Sequence, residues 1–233
     1  MNDKKIDKLI DGINLVTTYA TKFMELERVH NSSNKDVYWV IFDKDYNPYW
    51  LVLGAPRDSS PYSYDIYRVN RKKSMLDGND KIATLDMDVV KKRSTLDYLE
   101  IVKPSLSNKK IGSALIDLFE YISFTKGAKR ARGLSIAFNR SIITQKKLNA
   151  FYKHKKYNIK KLVSSTTYKL TKKFDYDTIK NYAKNFITIK ENNIIFKVQV
   201  PSGYKTIIAY KLATENKKTS LHLPITTENE KQV

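Results

Sequence analysis

One segment, residues 95–172, alternates between the apolar spacing of strands and that of helices, and it limits the possible folds more than any other feature. Listed along the chain, the patterns predict a strand at Leu96–Val102, a polar loop at Pro104–Lys110, a helix at Ile111–Phe124, a strand at Leu134–Phe138, a helix at Ile142–Lys155 and a strand at Lys161–Thr171. Strands that alternate with helices form a sheet covered by those helices. We therefore expect an α/β fold.

The segment before it is predicted to add a helix and more strands. Apolar residues at three- and four-residue steps over 4–28 predict an amphipathic helix, with Asp3 as its N-cap. The apolar runs Val37–Phe42 and Trp50–Leu53 predict a hairpin, and Ile82–Val90 predicts a further strand. The sequence between the hairpin and Ile82 is interpreted as a long polar connection.

The pattern changes after Phe174. A short helix is predicted at Asp177–Asn185, followed by a small antiparallel meander formed by the runs Phe186–Lys190, Ile194–Val200 and Tyr204–Leu212. The polar residues 213–233 are predicted to form a loosely ordered tail. The predicted organisation is a domain at 1–174, a β-rich extension at 175–212 and the tail.

Composition excludes several kinds of site. The chain has no cysteine, which excludes disulfides, thiolate-held metals and a cysteine nucleophile. Its three histidines lie far apart, so we expect no metal site. The apolar runs are shorter than the roughly 18 residues of a membrane span, and no leader-like start is present, so a cytoplasmic protein is expected.

Positive charge is concentrated in one part of the chain. Of the formal charge of +19, residues 103–175 carry +15, with 18 Lys or Arg against three acidic residues. Such an excess attracts polyanions such as nucleic acid, an anionic membrane surface or a phosphate-rich cofactor. The alternative is a set of solvated lysines on helix surfaces. The densest group, predicted as the nucleic-acid-binding set, is Lys153, Lys155, Lys156, Lys160 and Lys161.

The loop before the helix at Ile111 is a candidate anion site. Unpaired backbone amides and the helix dipole favour phosphate at a helix N-terminus, and Gly112 permits close approach of a ligand. An ordinary strand–loop–helix connection would have the same pattern.

Two stretches together resemble the GNAT superfamily of acyl-CoA-dependent N-acyltransferases. The first is Val102-Lys-Pro104 followed by Ser107–Gly112, which keeps the family's spacing between a Val-x-Pro strand end and its pyrophosphate loop. The second is Phe151-Tyr152 with the aromatic Tyr157, which is similar to the family's Phe/Leu-Tyr-x-Lys-x-Gly-Phe signature. The resemblance covers residues 80–172 and implies a mixed, mostly antiparallel sheet flanked by helices.

The chain departs from the family pattern at several positions. Lys110 stands where the family has its first loop glycine, Ser107 where it has Arg or Gln, and Lys156 where it has the glycine before the last aromatic. A lysine restricts positive φ and adds bulk beside the pyrophosphate, although Lys109 and Lys110 could instead contact phosphates.

The resemblance implies a binding mode for acetyl-CoA or another acyl-CoA. The pantetheine amides would bond backbone groups around Ile101, Val102 and Lys103, at the splayed end of their strand. The pyrophosphate would bind the amides of the following turn, which comprises Asn108, Lys109, Lys110, Ile111, Gly112 and Ser113.

Two residues are candidates for catalysis. Tyr152 occupies the family's position for the acid that protonates the departing thiolate, and a phenol with a pKa near 10 remains protonated at neutral pH. The alternative is a tyrosine that only packs beside Phe151. Glu100 is the preferred base over Asp97, which points to the opposite face of the strand. A neighbouring lysine is an equally good partner for Glu100, and His154 is a weaker candidate.

These residues leave three functions open. The first is acyl transfer to an amine acceptor, including an acceptor on or near a nucleic acid. The second is a catalytically degenerate GNAT-like module that binds nucleic acid or a protein. The third is an interaction protein that docks a partner by an exposed edge of its C-terminal meander.

Overall fold

A computed structural model describes most of the chain. The residues it describes are 3–27, 37–53, 61–69, 80–102, 104–106, 108–137, 143–163, 165–191, 194–201, 203–215 and 220–221.

The described residues form five α-helices and eleven strands. The helices are α1 (Asp3–Glu27), α2 (Ile111–Thr125), α3 (Gln145–His154), α4 (Tyr176–Ala183) and α5 (Lys205–Glu215), and a 3-10 turn spans Pro104–Leu106. The strands are β1 (Val37–Phe42), β2 (Pro48–Leu53), β3 (Tyr62–Arg68), β4 (Lys81–Val90), β5 (Arg93–Ile101), β6 (Arg130–Ser135), β7 (Asn158–Lys161), β8 (Tyr168–Lys173), β9 (Phe186–Glu191), β10 (Ile194–Gln199) and β11 (Ser220–Leu221).

All eleven strands lie in one sheet, in the order β11-β9-β10-β1-β2-β3-β4-β5-β6-β8-β7. Two neighbouring pairs, β1 with β10 and β5 with β6, run parallel, and the other pairs are antiparallel. The expected α/β fold with a mixed, mostly antiparallel sheet flanked by helices is confirmed.

Helices cover both faces of the sheet, but to different extents. On one face, α2, α3 and α4 pack over a core that runs from β1 to β8. On the other face, α1 and α5 form a second core with β1, β2, β9 and β10. Helix α1 fits this position because Ile6, Ile13 and Val16 repeat at helical spacing on a single buried side. Strands β4 to β8 contribute no residue to this second core.

Three element predictions are wrong. The run Tyr204–Leu212 is not the third strand of the meander but is helical from Lys205, because Ile208 and Leu212 are buried one helical turn apart. The supposed polar connection contains β3, whose Tyr64 and Ile66 alternate into the core. The single strand at Lys161–Thr171 is the hairpin β7–β8.

The other predicted elements are present with shifted ends. Strand β6 begins four residues before the predicted start because small residues, Ala131, Gly133 and Ser135, fill its buried positions. Helix α3 begins after Thr144, whose hydroxyl caps the amide of Lys147. Phe138 and Ile142 lie outside the described residues, and the division of the chain at residues 174 and 212 stays a prediction.

Candidate active site

The central feature of the site is a separation between two parallel strands. Strands β5 and β6 pair only over Arg93–Leu96 and Arg130–Gly133, and the described register of β5 continues to Ile101 with β4 alone. At the point of separation the register between β4 and β5 shifts, so that Asp97 is bulged. A bulge bends its strand and increases the twist. The result is a cleft between the C-terminal half of β5 and the end of β6.

Side chains on the free half of β5 point alternately to the two faces of the sheet. Leu99 and Ile101 pack against the core below α2. Tyr98 and Glu100 lie exposed on the opposite face, where the Tyr98 hydroxyl donates a hydrogen bond of 2.5 Å to a carboxylate oxygen of Glu100. Sequence reasoning missed Tyr98, although residues two apart on a strand share a face.

Helix α2 begins beside this cleft with amides that no side chain caps. Its N-cap residue, Lys110, has φ of 63° and ψ of 11° and makes no side-chain capping bond. The Lys110 carbonyl accepts from the amide of Ala114, so the amides of Ile111, Gly112 and Ser113 form the first turn. These amides and the helix dipole make the turn suitable for an anion.

The two lysines that replace family glycines both have left-handed backbones. Lys110 and Lys156 each have φ of 63°. Asn108 has the same φ, which asparagine tolerates better than other residues with a β-carbon. The resemblance therefore extends to backbone conformation, because the positions where the family has glycine are positions where glycine is favoured.

A salt bridge holds the loop before α2 against the β1–β2 turn. The ammonium of Lys109 pairs with Asp45, and this hydrogen bond raises the pKa of Lys109. The carbonyl of Lys109 accepts from the amide of Lys44 at 3.1 Å. Asp43 stabilises the turn itself by accepting hydrogen bonds from the amides of Asp45 and Asn47. The structure thus gives Lys109 a carboxylate partner, whereas Lys110 is exposed.

Gly112 is positioned between the end of β5 and helix α3. A β-carbon at this position would lie 3.5 Å from Cδ1 of Ile101 and 3.9 Å from Cζ of Phe151. These are ordinary contact distances, so alanine fits at this position. The structure therefore brings Ile101, Gly112 and Phe151 together at one end of the cleft.

Tyr152 lies in the core beneath the cleft. Its ring makes edge contacts with Phe151 and Tyr157, with centroids 5.2 and 5.6 Å apart. Burial raises the pKa of Tyr152 to about 12. Beyond Tyr157, the carboxylate of Glu120 pairs with the ammonium of Lys172 at 2.6 Å. Because its pKa is raised, the Tyr152 phenol is firmly protonated at neutral pH.

Helix α3 is held against β6 by a polar network that sequence reasoning missed. The amide group of Gln145 donates to the carbonyl and hydroxyl oxygens of Ser135 and to Asn149, and its oxygen accepts from the amide of Ala137 at 2.7 Å. This network fixes the far wall of the cleft and the helix that carries Tyr152. Its signal in the sequence was weak because Gln145 follows a segment without a pattern.

The two catalytic candidates lie on different faces of the sheet. Glu100 is exposed on the face opposite α2, and Tyr152 is buried on the α2 face. They approach the cleft from its two sides and make no described contact with each other. Of the cofactor candidates, Val102 is exposed at the end of β5, and Lys103 lies outside the described residues.

The five candidate nucleic-acid-binding lysines do not form one surface. Lys153 and Lys156 are exposed at the end of α3, but Lys155 pairs with Asp117 at 2.7 Å. Lys160 and Lys161 are successive residues of β7, so their side chains point to opposite faces of the sheet.

This cleft, loop and helix follow the order implied by the family resemblance. The described structure resembles the GNAT fold. No protein-family model matches the chain, and no curated protein matches it. No helix in the described part of the chain combines the length and hydropathy needed to cross a bilayer.

Several solved structures show low similarity to the chain. The PaiA N-acetyltransferase from Thermoplasma acidophilum in complex with coenzyme A has 18% identity over 48% of this chain and 60% of its own, with a TM-score of 0.36. Ard1 from Thermoplasma volcanium has 11% identity over 48% of this chain and 70% of its own, with a TM-score of 0.37. The ribosomal-protein-S18-alanine N-acetyltransferase from Escherichia coli has 13% identity over 49% of this chain and 68% of its own, with a TM-score of 0.34. This similarity is too low to support a functional argument.

Proposed function

We propose that the chain is an acyl-CoA-dependent N-acyltransferase. The observation that carries the proposal is the combination of the β5–β6 cleft with the uncapped first turn of α2 at one end of it. A cleft between parallel strands exposes backbone groups that a pantetheine arm could pair with, and the helix turn favours a pyrophosphate.

The residues present fit such a cofactor. The amides of Ile111, Gly112 and Ser113 would hold the pyrophosphate, and the exposed ammonium of Lys110 would add a charge-assisted contact. The backbone of Ile101 would hold the pantetheine arm. When bound, an acyl-CoA supplies an acyl group activated as a thioester; acetyl is the proposed group.

Transfer to an amine needs a proton acceptor and a proton donor. Glu100 would take the proton of the attacking amine, and Tyr98 would hold its carboxylate in place through the 2.5 Å hydrogen bond. Tyr152 would give its phenolic proton to the departing thiolate. Its raised pKa keeps that proton in place before the reaction, although it also makes the phenol a weaker acid.

Binding of acetyl-CoA tests the proposal directly. A ligand that binds only the folded state at 100 times its Kd stabilises it by about 2.7 kcal/mol, which a thermal melt detects. Gly112→Glu should abolish this stabilisation, because the longer side chain adds bulk and negative charge at the first turn of α2.

Gly112→Ala is the matched control, since its β-carbon meets only ordinary contacts and the fold should be retained. Calorimetry that detects no acetyl-CoA binding at millimolar ligand would refute the enzyme proposal. Binding without release of free thiol, across a panel of amine acceptors, would instead support the catalytically degenerate module.

A further inference from the structure

The second face of the sheet carries a group of exposed basic residues. Among the described residues, no helix of the second core lies over strands β5 to β8 on this face. Six exposed basic side chains point to it, and we name them the basic sheet face: Arg93, Arg130, Arg132, Lys160, Lys169 and Lys173.

The strand register places like charges directly opposite each other. Arg93 of β5 is opposite Arg130 of β6, which is itself opposite Lys173 of β8. Lys169 of β8 is opposite Lys160 of β7. Like charges directly opposite on neighbouring strands destabilise a sheet. Three such pairs in one small area are a feature that stability alone does not explain.

Acidic partners do not offset this repulsion. Among the described residues, none of the six forms an ion pair with a carboxylate. The lysines on the α2 side behave differently, since Lys155 pairs with Asp117 and Lys172 with Glu120. On the basic sheet face, Arg132 donates a hydrogen bond of 3.0 Å to the hydroxyl of Thr95.

We propose that the basic sheet face binds a single-stranded nucleic acid through its phosphate backbone. Four strands span about 14 Å at the usual spacing, so the six charges form a dense positive area. A chain of phosphates would relieve the repulsion between the opposed residues. Three of the six are arginines, whose guanidinium groups bind phosphate with two hydrogen bonds.

Further along β5, the face also offers a ring for base stacking. Tyr98 is exposed on the same face as Arg132, at the start of the free half of β5. Rings beside basic grooves stack the bases of single strands with little sequence preference. Insertion into an anionic membrane is a weaker fit, because a surface that inserts needs a broad apolar side. Here Leu134 and Val90 stand singly among the charges.

The binding assay uses the full chain and a labelled oligouridine, followed by fluorescence anisotropy. Each phosphate contact on a single strand contributes about 0.7 to the slope of log K against log salt. Six contacts therefore predict that Kd rises about 300-fold when salt increases from about 50 to about 200 mM.

A quadruple variant tests the face. Arg130→Gln, Arg132→Gln, Lys169→Gln and Lys173→Gln together leave two contacts, so the same increase in salt should raise Kd only about sevenfold. Its thermal stability should be equal to or above that of the wild type, since repulsion is removed.

The control removes the same number of charges from helix α3 and from the residue that follows α4. Its substitutions are Lys146→Gln, Lys147→Gln, Lys153→Gln and Lys184→Gln, all at exposed positions. This control should keep the wild-type salt response. Equal losses in both variants, no RNA binding by the wild type, or tighter binding to phosphatidylserine vesicles than to RNA would each overturn the proposal. Acetyl-CoA binding is measured separately, so the result does not depend on the proposed enzyme activity.

Discussion

The left-handed lysines allow a sharp test of the structure. Lys156 lies between α3 and the buried Tyr157 with φ of 63°. A residue with a β-carbon is less stable than glycine in this region by roughly 1–2 kcal/mol. Glycine also increases the conformational entropy of the unfolded chain, which destabilises the fold by about 0.4–1 kcal/mol. Lys156→Gly should therefore stabilise the fold, by about 0.8 kcal/mol from the middle of the two ranges and by about 1.6 kcal/mol at most.

The matched control makes the same change inside a helix. Lys180 is exposed in the middle of α4, where glycine costs up to about 1 kcal/mol. Urea unfolding measures the free energy of unfolding of both variants. In a thermal melt of a chain of this length, 1 kcal/mol corresponds to a change in Tm of about 2–4 °C. Lys110→Gly, in a different loop, should add independently to Lys156→Gly. A destabilised Lys156→Gly variant would show that this backbone is not left-handed and would refute the argument.

Three further results are expected. Tyr152→Phe keeps the ring contacts and removes only the proton donor, so turnover should fall about 100-fold or more with acetyl-CoA affinity unchanged; an unchanged rate where chemistry is limiting would assign Tyr152 to packing. Gly133→Ala should destabilise the fold by about 1–3 kcal/mol in thermal melts, because the added β-carbon would lie 3.0 Å from the backbone oxygen of Leu96; wild-type stability would contradict this close approach. Lys172→Met should cost about 3–5 kcal/mol near neutral pH because it leaves the Glu120 carboxylate buried without a cation. Burial already raises the pKa of Glu120, so this deficit should shrink as pH falls and the neutral acid forms; equal deficits in urea unfolding at about pH 8 and about pH 5 would contradict it.

Local patterns predicted much of the fold around the cleft. The apolar spacing of α2 and the order of strand, loop and helix after β5 could be derived from sequence because both depend on neighbouring residues. Helix α5 could not, because the run Ile207–Tyr210 between Thr206 and Lys211 also fits a strand. Strand β3 was missed although its sequence carries a signal, because Ser63 and Asp65 alternate with Tyr64 and Ile66 as in a half-buried strand.

The charge pattern predicted a basic region but not its shape. Which lysines share a surface depends on the register of β6, β7 and β8, and no local pattern specifies pairing between distant strands. Glu100 could be assigned to a face by alternation along its strand. The contact between Gly112 and Phe151 depends on how α3 packs, which the sequence alone does not reveal.

The parallel pairing of β1 with β10 has a consequence for synthesis on the ribosome. Val37 pairs with Ile195, about 158 residues later. At a synthesis rate of roughly 5–20 residues per second, this edge of β1 remains unpaired for about 8–30 s until β10 is made. During that interval the apolar side of α1 also lacks β10 and α5, which complete its core. We expect the nascent chain to depend on chaperones that shield this edge until the last quarter of the sequence has emerged.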